Sequence, residues 1–260
     1  MILQELAKTA AKRVKVMKQE VSLDEIKQLA SSVMPATPFA FEQALKRDGL
    51  SFICEVKRAS PSKGELVKKF DYMEIAADYE KAGADCISVL TEPSRFLGDD
   101  RYLSEIAKKV SVPLLRKDFV VDEYMIYQAK HLKASAVLLI CTLLDDVTLK
   151  KYVDICHTIG ISALVEAHCE AEVESALRAG ARMIGVNNRN LKDFSVDLNN
   201  TIRLRKCIPT DILCVAESGI YTAEHIEQLN EALVDAVLIG ECLMLADHKL
   251  DKLKELKAKL

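Results

Sequence analysis

From residue 52 onward the chain alternates between two kinds of pattern. Apolar runs at 52–57, 86–90, 113–117, 136–141, 162–166, 183–187, 212–216 and 236–240 read as buried strands. Between them, apolar positions recur every three or four residues, for example over 72–82, 123–132 and 223–233, which predicts amphipathic helices. Strand and helix in strict alternation mean parallel βαβ units. A weak internal repeat agrees: KAGADCISVL, HLKASAVLLI, RAGARMIGV and ALVDAVLIG each set a helix end directly before an apolar strand. Their markers Asp85, Ser135, Arg182 and Asp235 lie 50, 47 and 53 residues apart, room for two units per step and eight in all. Eight uninterrupted units predict an α/β fold of the closed (β/α)8 TIM-barrel type, and no GxGxxG follows the first strand to suggest an open dinucleotide-binding sheet.

The first fifty residues differ. Ile2, Leu6, Ala10, Val14, Met17 and Val21 form the apolar stripe of a helix whose wet face is expected to carry Lys8, Lys12, Arg13, Lys15 and Lys18. A second short helix near 23–31, a linker marked by Pro35 and Pro38, and the segment 39–48 lead to the first strand. The expectation is one domain, a helical extension over 1–50 capping a barrel over 51–260.

Polar residues break the apolar runs at one end of the strands. The stretch FICEVKRASPSKG begins as a buried strand yet brings Glu55, Lys57 and Arg58 together, with Glu55 and Lys57 on one face by the period of two. An unpaired buried charge is costly, so such groups belong at a cleft or in a pair. The third strand ends in Arg116-Lys117-Asp118, the fifth in Glu166, the sixth in Asn187-Asn188-Arg189 and the seventh in Glu217-Ser218-Gly219. Lys57, Lys117, Glu166 and Glu217 all come from odd strands, 60, 49 and 51 residues apart. A satisfied core ion pair accounts for any one of them. Four at one barrel mouth would shift one another's pKa values and could carry out acid–base chemistry. After the last two strands VAESGI is expected to continue into a helix through Gly219 and VLIGECLM through Gly240, and these glycines suit either tight turns or close approach of backbone N–H groups to a phosphate.

Composition narrows the partners. A net charge of −3 offers no field for nucleic acid, so an anionic ligand must be held locally. The eight cysteines show no metal-ligand spacing and read as reduced core thiols of a cytoplasmic protein. No apolar leader and no run of about 18 apolar residues indicates secretion or a membrane.

The motifs ICEVKRASPSKG, LLRKDFVVDEYMIYQA, ALVEAH, IGVNNRNL, VAESGI and VLIGECLM, in order from about Phe52 to Leu245, resemble those of indole-3-glycerol phosphate synthases. The resemblance implies a decarboxylating, dehydrating ring closure of 1-(2-carboxyphenylamino)-1-deoxyribulose 5-phosphate, with no metal or organic cofactor. It also implies a monomer or weak oligomer without the fused isomerase barrel that some relatives carry. By motif position, Lys117 would protonate the substrate carbonyl, and Glu166 would serve the later proton transfers. Glu55 would orient Lys57, which would clamp an anionic group or protonate the departing hydroxyl. Asn187 and Glu217 would bond the sugar hydroxyls and the lysines. Ser218, Gly219, Gly240 and the backbone of Glu241 would line the phosphate site, Ser60 and Arg189 would face the carboxylate, and Phe96, Phe119 and Leu191 the aromatic ring. Ser135, Glu123 and Leu97 depart from the family pattern, and of these Leu97 is expected to touch the ring pocket. The barrel alone leaves open an isomerase of phosphorylated amines, an aldolase using Lys117 as Schiff-base nucleophile, or a non-catalytic relative.

Overall fold

The computed structural model describes residues 2–33, 37–190 and 193–260; Pro35 of the expected linker and Leu191 of the expected ring wall lie outside them. Eight parallel strands close into a barrel: β1 (Ser51–Val56), β2 (Cys86–Leu90), β3 (Leu114–Lys117), β4 (Ala136–Ile140), β5 (Ser162–Ala167), β6 (Met183–Asn187), β7 (Leu213–Glu217) and β8 (Ala236–Ile239). β1 closes the ring on β8, with Cys54 opposite Ile239, and pairs on its other side with β2, with Glu55 opposite Ser88. The (β/α)8 expectation is met.

Alternation along each strand divides its side chains between two cores. Ile53, Leu115, Leu138, Leu164, Val215 and Leu238 fill the barrel interior. Phe52, Cys54, Val137, Val165, Val186 and Val237 face the surrounding helices. Those helices are α4 (Tyr72–Lys81), α5 (Asp100–Lys109), α6 (Glu123–His131), α7 (Asp146–Ile159), α8 (Glu170–Arg178), α9 (Asn199–Arg205), α10 (Ala223–Glu231), α11 (Glu241–Leu245) and α12 (Lys249–Leu256). Asp71, Asp99, Asp122, Asp145 and Thr222 cap five of them, each accepting a bond from a first-turn N–H that has no partner within its helix.

Before β1 come α1 (Ile2–Glu20), α2 (Leu23–Ser32) and α3 (Ala40–Leu45). α3 buries Phe41 and Leu45 against the interior cluster. α2, opened by a Ser22/Glu25 capping box, packs on α6. α1 lies over the mouth: Leu3, Leu6, Ala10 and Val14 are buried beneath it, Arg13 Nη2 bonds Asp118 just after β3 at 2.7 Å, and Lys18 pairs with Asp122 at 2.7 Å. Arg13 therefore belongs to the packed side of α1 rather than to its wet face, because a buried carboxylate waits there for it. Among the described residues no helix is long and apolar enough to cross a membrane.

Candidate active site

The strand ends meet at one cavity beneath α1. Glu55 is buried on β1, and Lys57, one residue past the strand, places Nζ 2.7 Å from its Oε1. Lys117 ends β3 and reaches across the barrel, 3.7 Å from Glu55 Oε2 and 3.0 Å from Glu217 Oε2 on β7. Glu166, on β5, is buried in the same ring. Two lysines and three carboxylates thus share one desolvated volume.

That arrangement polarises each of them. Burial works to raise the Glu55 carboxyl, but the Lys57 and Lys117 charges, with bonds from Lys57 and Ser88, outweigh it and hold it below its ordinary value. Burial works against the Lys117 ammonium, yet Glu217, Glu55 and Glu166 together hold it well above the ordinary lysine range. Glu217 is the strained member. Burial, reinforced by Glu166 and Glu55 and only partly opposed by Lys117, pushes it up to about 7, and among the described residues neither of its oxygens finds an aligned hydrogen-bond donor.

Lys117 is flanked by two buried charges held away from it, Arg116 toward the helical layer, as the period of two requires, and Asp118 at the cavity rim beneath α1. Arg116 is fully buried outside the barrel, where it bonds Asp100 at 2.7 Å, Gln128 at 2.9 Å and the Met125 carbonyl at 3.0 Å. Asp118 accepts from Thr91 and from Arg13, both at 2.7 Å, and from the Phe119 N–H at 2.8 Å. Its carboxyl sits below the usual range, because Arg116, Arg13 and Thr91 overcome the effect of burial. This network fixes the backbone on either side of Lys117, and Arg13 ties it to α1.

The loops after β6, β7 and β8 form the opposite wall. Ser218 and Gly219 have φ of 67° and 79°, a left-handed pair in which Ser218 is a strained non-glycine residue. Asn188 secures it, donating to the Ser218 carbonyl at 3.1 Å while its own Oδ1 accepts from Thr201 Oγ1 at 2.8 Å. α10 begins only at Ala223, so Gly219 turns into a loop and not, as the pattern suggested, directly into a helix. Gly240 does run straight into α11, and a Cβ on it would overlap Glu55 Oε1 and lie 2.8 Å from Lys57 Nζ. Asn187 Oδ1 accepts the Arg189 N–H at 3.0 Å, and Arg189 reaches Glu241 at 3.6 Å.

An aromatic corner completes the cavity. Phe96 and Phe119 stand 6.0 Å apart between ring centres, and Glu92 ties the Phe96 loop by accepting its N–H at 3.1 Å. Ser60 is buried nearby in a two-residue ladder with Gly64. All of the residues given site roles from their motif positions, Leu191 aside, line this one cavity. Leu97 does not. It is exposed, with φ of 52°. Glu123 and Ser135 also lie elsewhere, Glu123 pairing with Lys151 at 2.8 Å.

Other contributors were not visible from periodicity. Ile2, Leu3 and Leu6 of α1 form part of the wall, as do Phe194 and Tyr221. Gly185, inside β6, stands where a Cβ would overlap Glu217 Oε1; a glycine in mid-strand was the available signal of such a close approach. Among the described residues no cluster of His, Cys, Asp and Glu is arranged to hold a metal ion.

A sequence profile described as indole-3-glycerol phosphate synthase matches residues 3–256. The chain belongs to the indole-3-glycerol phosphate synthase family. It is 55% identical over 244 residues to the indole-3-glycerol phosphate synthase of Ruminiclostridium cellulolyticum, covering 94% of each chain. It is 48% identical over 257 residues to that of Endomicrobium trichonymphae, covering 99% of this chain and 100% of the relative. Among solved structures, 3-hexulose-6-phosphate synthase from Salmonella typhimurium superposes with a TM-score of 0.67 at 15% identity, over 81% of this chain and 98% of the other. At that identity the likeness speaks for the barrel alone. Membership of the synthase family thus rests on the sequence matches.

Proposed function

We propose that this chain closes the pyrrole ring of 1-(2-carboxyphenylamino)-1-deoxyribulose 5-phosphate to give indole-3-glycerol phosphate, carbon dioxide and water in tryptophan biosynthesis. The observation that carries the reading is Lys117, an ammonium held between Glu217 at 3.0 Å and Glu55 at 3.7 Å in a buried mouth. Such a cation can donate to the substrate carbonyl as the ring carbon attacks it, and it stabilises the developing alkoxide far better there than in water. The same held charge disfavours an aldolase, whose nucleophile must be the free amine.

Lys57, gripped by Glu55 beside Gly240, serves to clamp an anionic group. The N–H groups around Gly219, Gly240 and Glu241 take the phosphate, with Ser218. Ser60 and Arg189 face the carboxylate, and Phe96 and Phe119 bracket the anthranilate ring, with Leu3 and Leu6 of α1 closing over it. Asn187 and Glu217 hold sugar hydroxyls. Decarboxylation restores the aromatic ring. Glu166 then protonates the departing hydroxyl and takes the remaining ring C–H proton. The proton count has one consequence: a carboxylate enters and neutral carbon dioxide leaves, so each turnover takes up one proton from solvent.

These roles call on no cofactor, and the eight free thiols suit a reducing cytoplasm. The test is direct because the chain has no Trp to mask an indole product. Given the deoxyribulose phosphate and EDTA, purified protein should generate indole emission and one carbon dioxide per turnover. A folded sample that forms neither would refute the assignment.

A further inference from the structure

A second cavity, lined by residues that follow β4, β5 and β6 and by Leu3 and Gln4 of α1, adjoins the first and shares Leu3, Asn187 and Arg189 with it. His168, two residues past Glu166, stands between the two. Its Nε2 is 3.4 Å from Glu166 Oε1 and has no aligned hydrogen-bond partner among the described residues, although it is buried. Its Nδ1 is 3.1 Å from Oε2 of Glu172, at the start of α8. Glu172 is itself fixed, accepting from the His168 N–H and from Thr142 Oγ1, both at 2.7 Å.

The ring orientation follows from these partners. A carboxylate only accepts, so Nδ1 carries its hydrogen toward Glu172. A neutral imidazole would then turn its Nε2 lone pair onto a Glu166 oxygen, two acceptors facing each other out of water. A proton between them resolves the conflict, borne by the imidazole or by Glu166. We propose that His168, oriented by Glu172, supplies Glu166 with a proton while substrate fills the mouth and blocks direct access from solvent. The inference rests on the role given to Glu166 above.

The step balances. The Nε2–H bond breaks and leaves its electron pair on the ring, and an O–H bond forms on Glu166. Glu166 passes that proton to the departing hydroxyl, the C–O bond breaks, and water leaves. The neutral imidazole keeps its Nδ1–H on Glu172 and is recharged by one proton from water, the number each turnover consumes, while the ring C–H proton that Glu166 then takes goes to restore the Lys117 ammonium. The electrostatics agree: burial depresses the imidazolium, but the Glu172 bond and the charges of Glu166, Glu172 and Glu217 outweigh it and raise its pKa. The other charged groups on the second cavity are Arg189, Asp197 and Arg203. His168 touches no reacting atom and acts through Glu166.

The experiment compares H168N, E172Q and E166Q with wild type. H168N should lower kcat at least ~10-fold, below the effect of removing a direct acid or base, with KM within about two-fold. It should also lose the high-pH fall in kcat that marks discharge of the imidazolium, and added imidazole should restore kcat to H168G. If the position 168 variants fail to fold, the five histidines of wild-type protein can be followed by NMR: E172Q should move the His168 midpoint to lower pH. Wild-type kcat in H168N while E166Q is crippled would overturn the inference alone, as would a His168 midpoint indifferent to E172Q. Wild-type kcat in E166Q would overturn the reading beneath it.

Discussion

Adding one methyl group at Gly185 should disable the site while leaving the barrel standing. A Cβ there would overlap Glu217 Oε1 and approach Leu164 Cδ1 to 3.1 Å. The obstructing atom is the tip of a flexible side chain, so Glu217 can retreat by about an ångström, and overpacking of this kind costs ~1 kcal/mol at the low end of its range. For a chain of this size that is a fall in Tm of about 2–4 °C. Glu217, however, is 1% exposed and lies 3.0 Å from Lys117 Nζ, so the displacement passes to the residue that donates the proton. Misplacement by ~1 Å costs about 100-fold in rate. Gly185→Ala should therefore cut kcat by that order and leave affinity for inorganic phosphate unchanged, because the phosphate loops follow β7 and β8. Indole emission gives kcat and KM, a thermal melt gives Tm, and phosphate titration gives the third quantity. In Gly185→Ala/Glu217→Asp the shorter carboxylate restores the space and should recover part of the rate, a non-additivity expected of touching residues. A Gly185→Ala enzyme with wild-type kcat would refute the claim that Glu217 positions Lys117.

Three further outcomes are expected. Lys117→Met keeps length and apolar bulk but removes the proton, so turnover should fall at least ~100-fold with modest loss of stability, and wild-type enzyme treated with borohydride should trap no adduct. Gly240→Ala should raise KM and lower kcat together, because its Cβ meets Glu55 and Lys57 as well as the phosphate space; a change in KM alone would show that Glu55 and Lys57 yield without consequence. Glu217 contributes a pH term of definite sign: raised from 4.5 to about 7, it binds more protons folded than unfolded between those values, so its contribution to stability declines as pH rises from about 4.5 to 7 and is flat above. Glu217→Gln should abolish that decline in denaturant titrations, and an identical slope in both proteins would place the titration elsewhere.

Much of this architecture is written in periodicity. Burial on both faces makes the barrel strands apolar throughout, so a charge at a strand end stands out, and Glu55, Lys117, Glu166 and Glu217 were readable for that reason. What periodicity does not carry is direction between neighbours on different strands. Arg116 and Asp118 look equivalent to Lys117 in the sequence, yet one residue of offset sends Arg116 to the helical layer and leaves Asp118 at the rim, bonded to Arg13 of α1. The amphipathic pattern of α1 predicts a buried face but not the surface it covers, and so conceals both Leu3 in the cavity wall and Arg13 on Asp118. His168 is similarly hidden: it lies between β5 and α8, and nothing in the spacing shows that its ring reaches both Glu166 and Glu172. Gly219 was read as the start of a helix because a glycine after a strand suits either outcome, and the left-handed Ser218 that settles it is invisible without coordinates.

The bond between Arg13 and Asp118 spans 105 residues of chain. During synthesis α1 therefore emerges well before its carboxylate partner, and it cannot settle until the chain has run on through β3. The order of assembly imposes a check on competence. A chain that has not yet folded β3 leaves its basic N-terminal helix without Asp118 and Asp122, and so with the mouth uncovered. The covering of the site by α1 thus reports that the strand carrying Lys117 is in place beneath it.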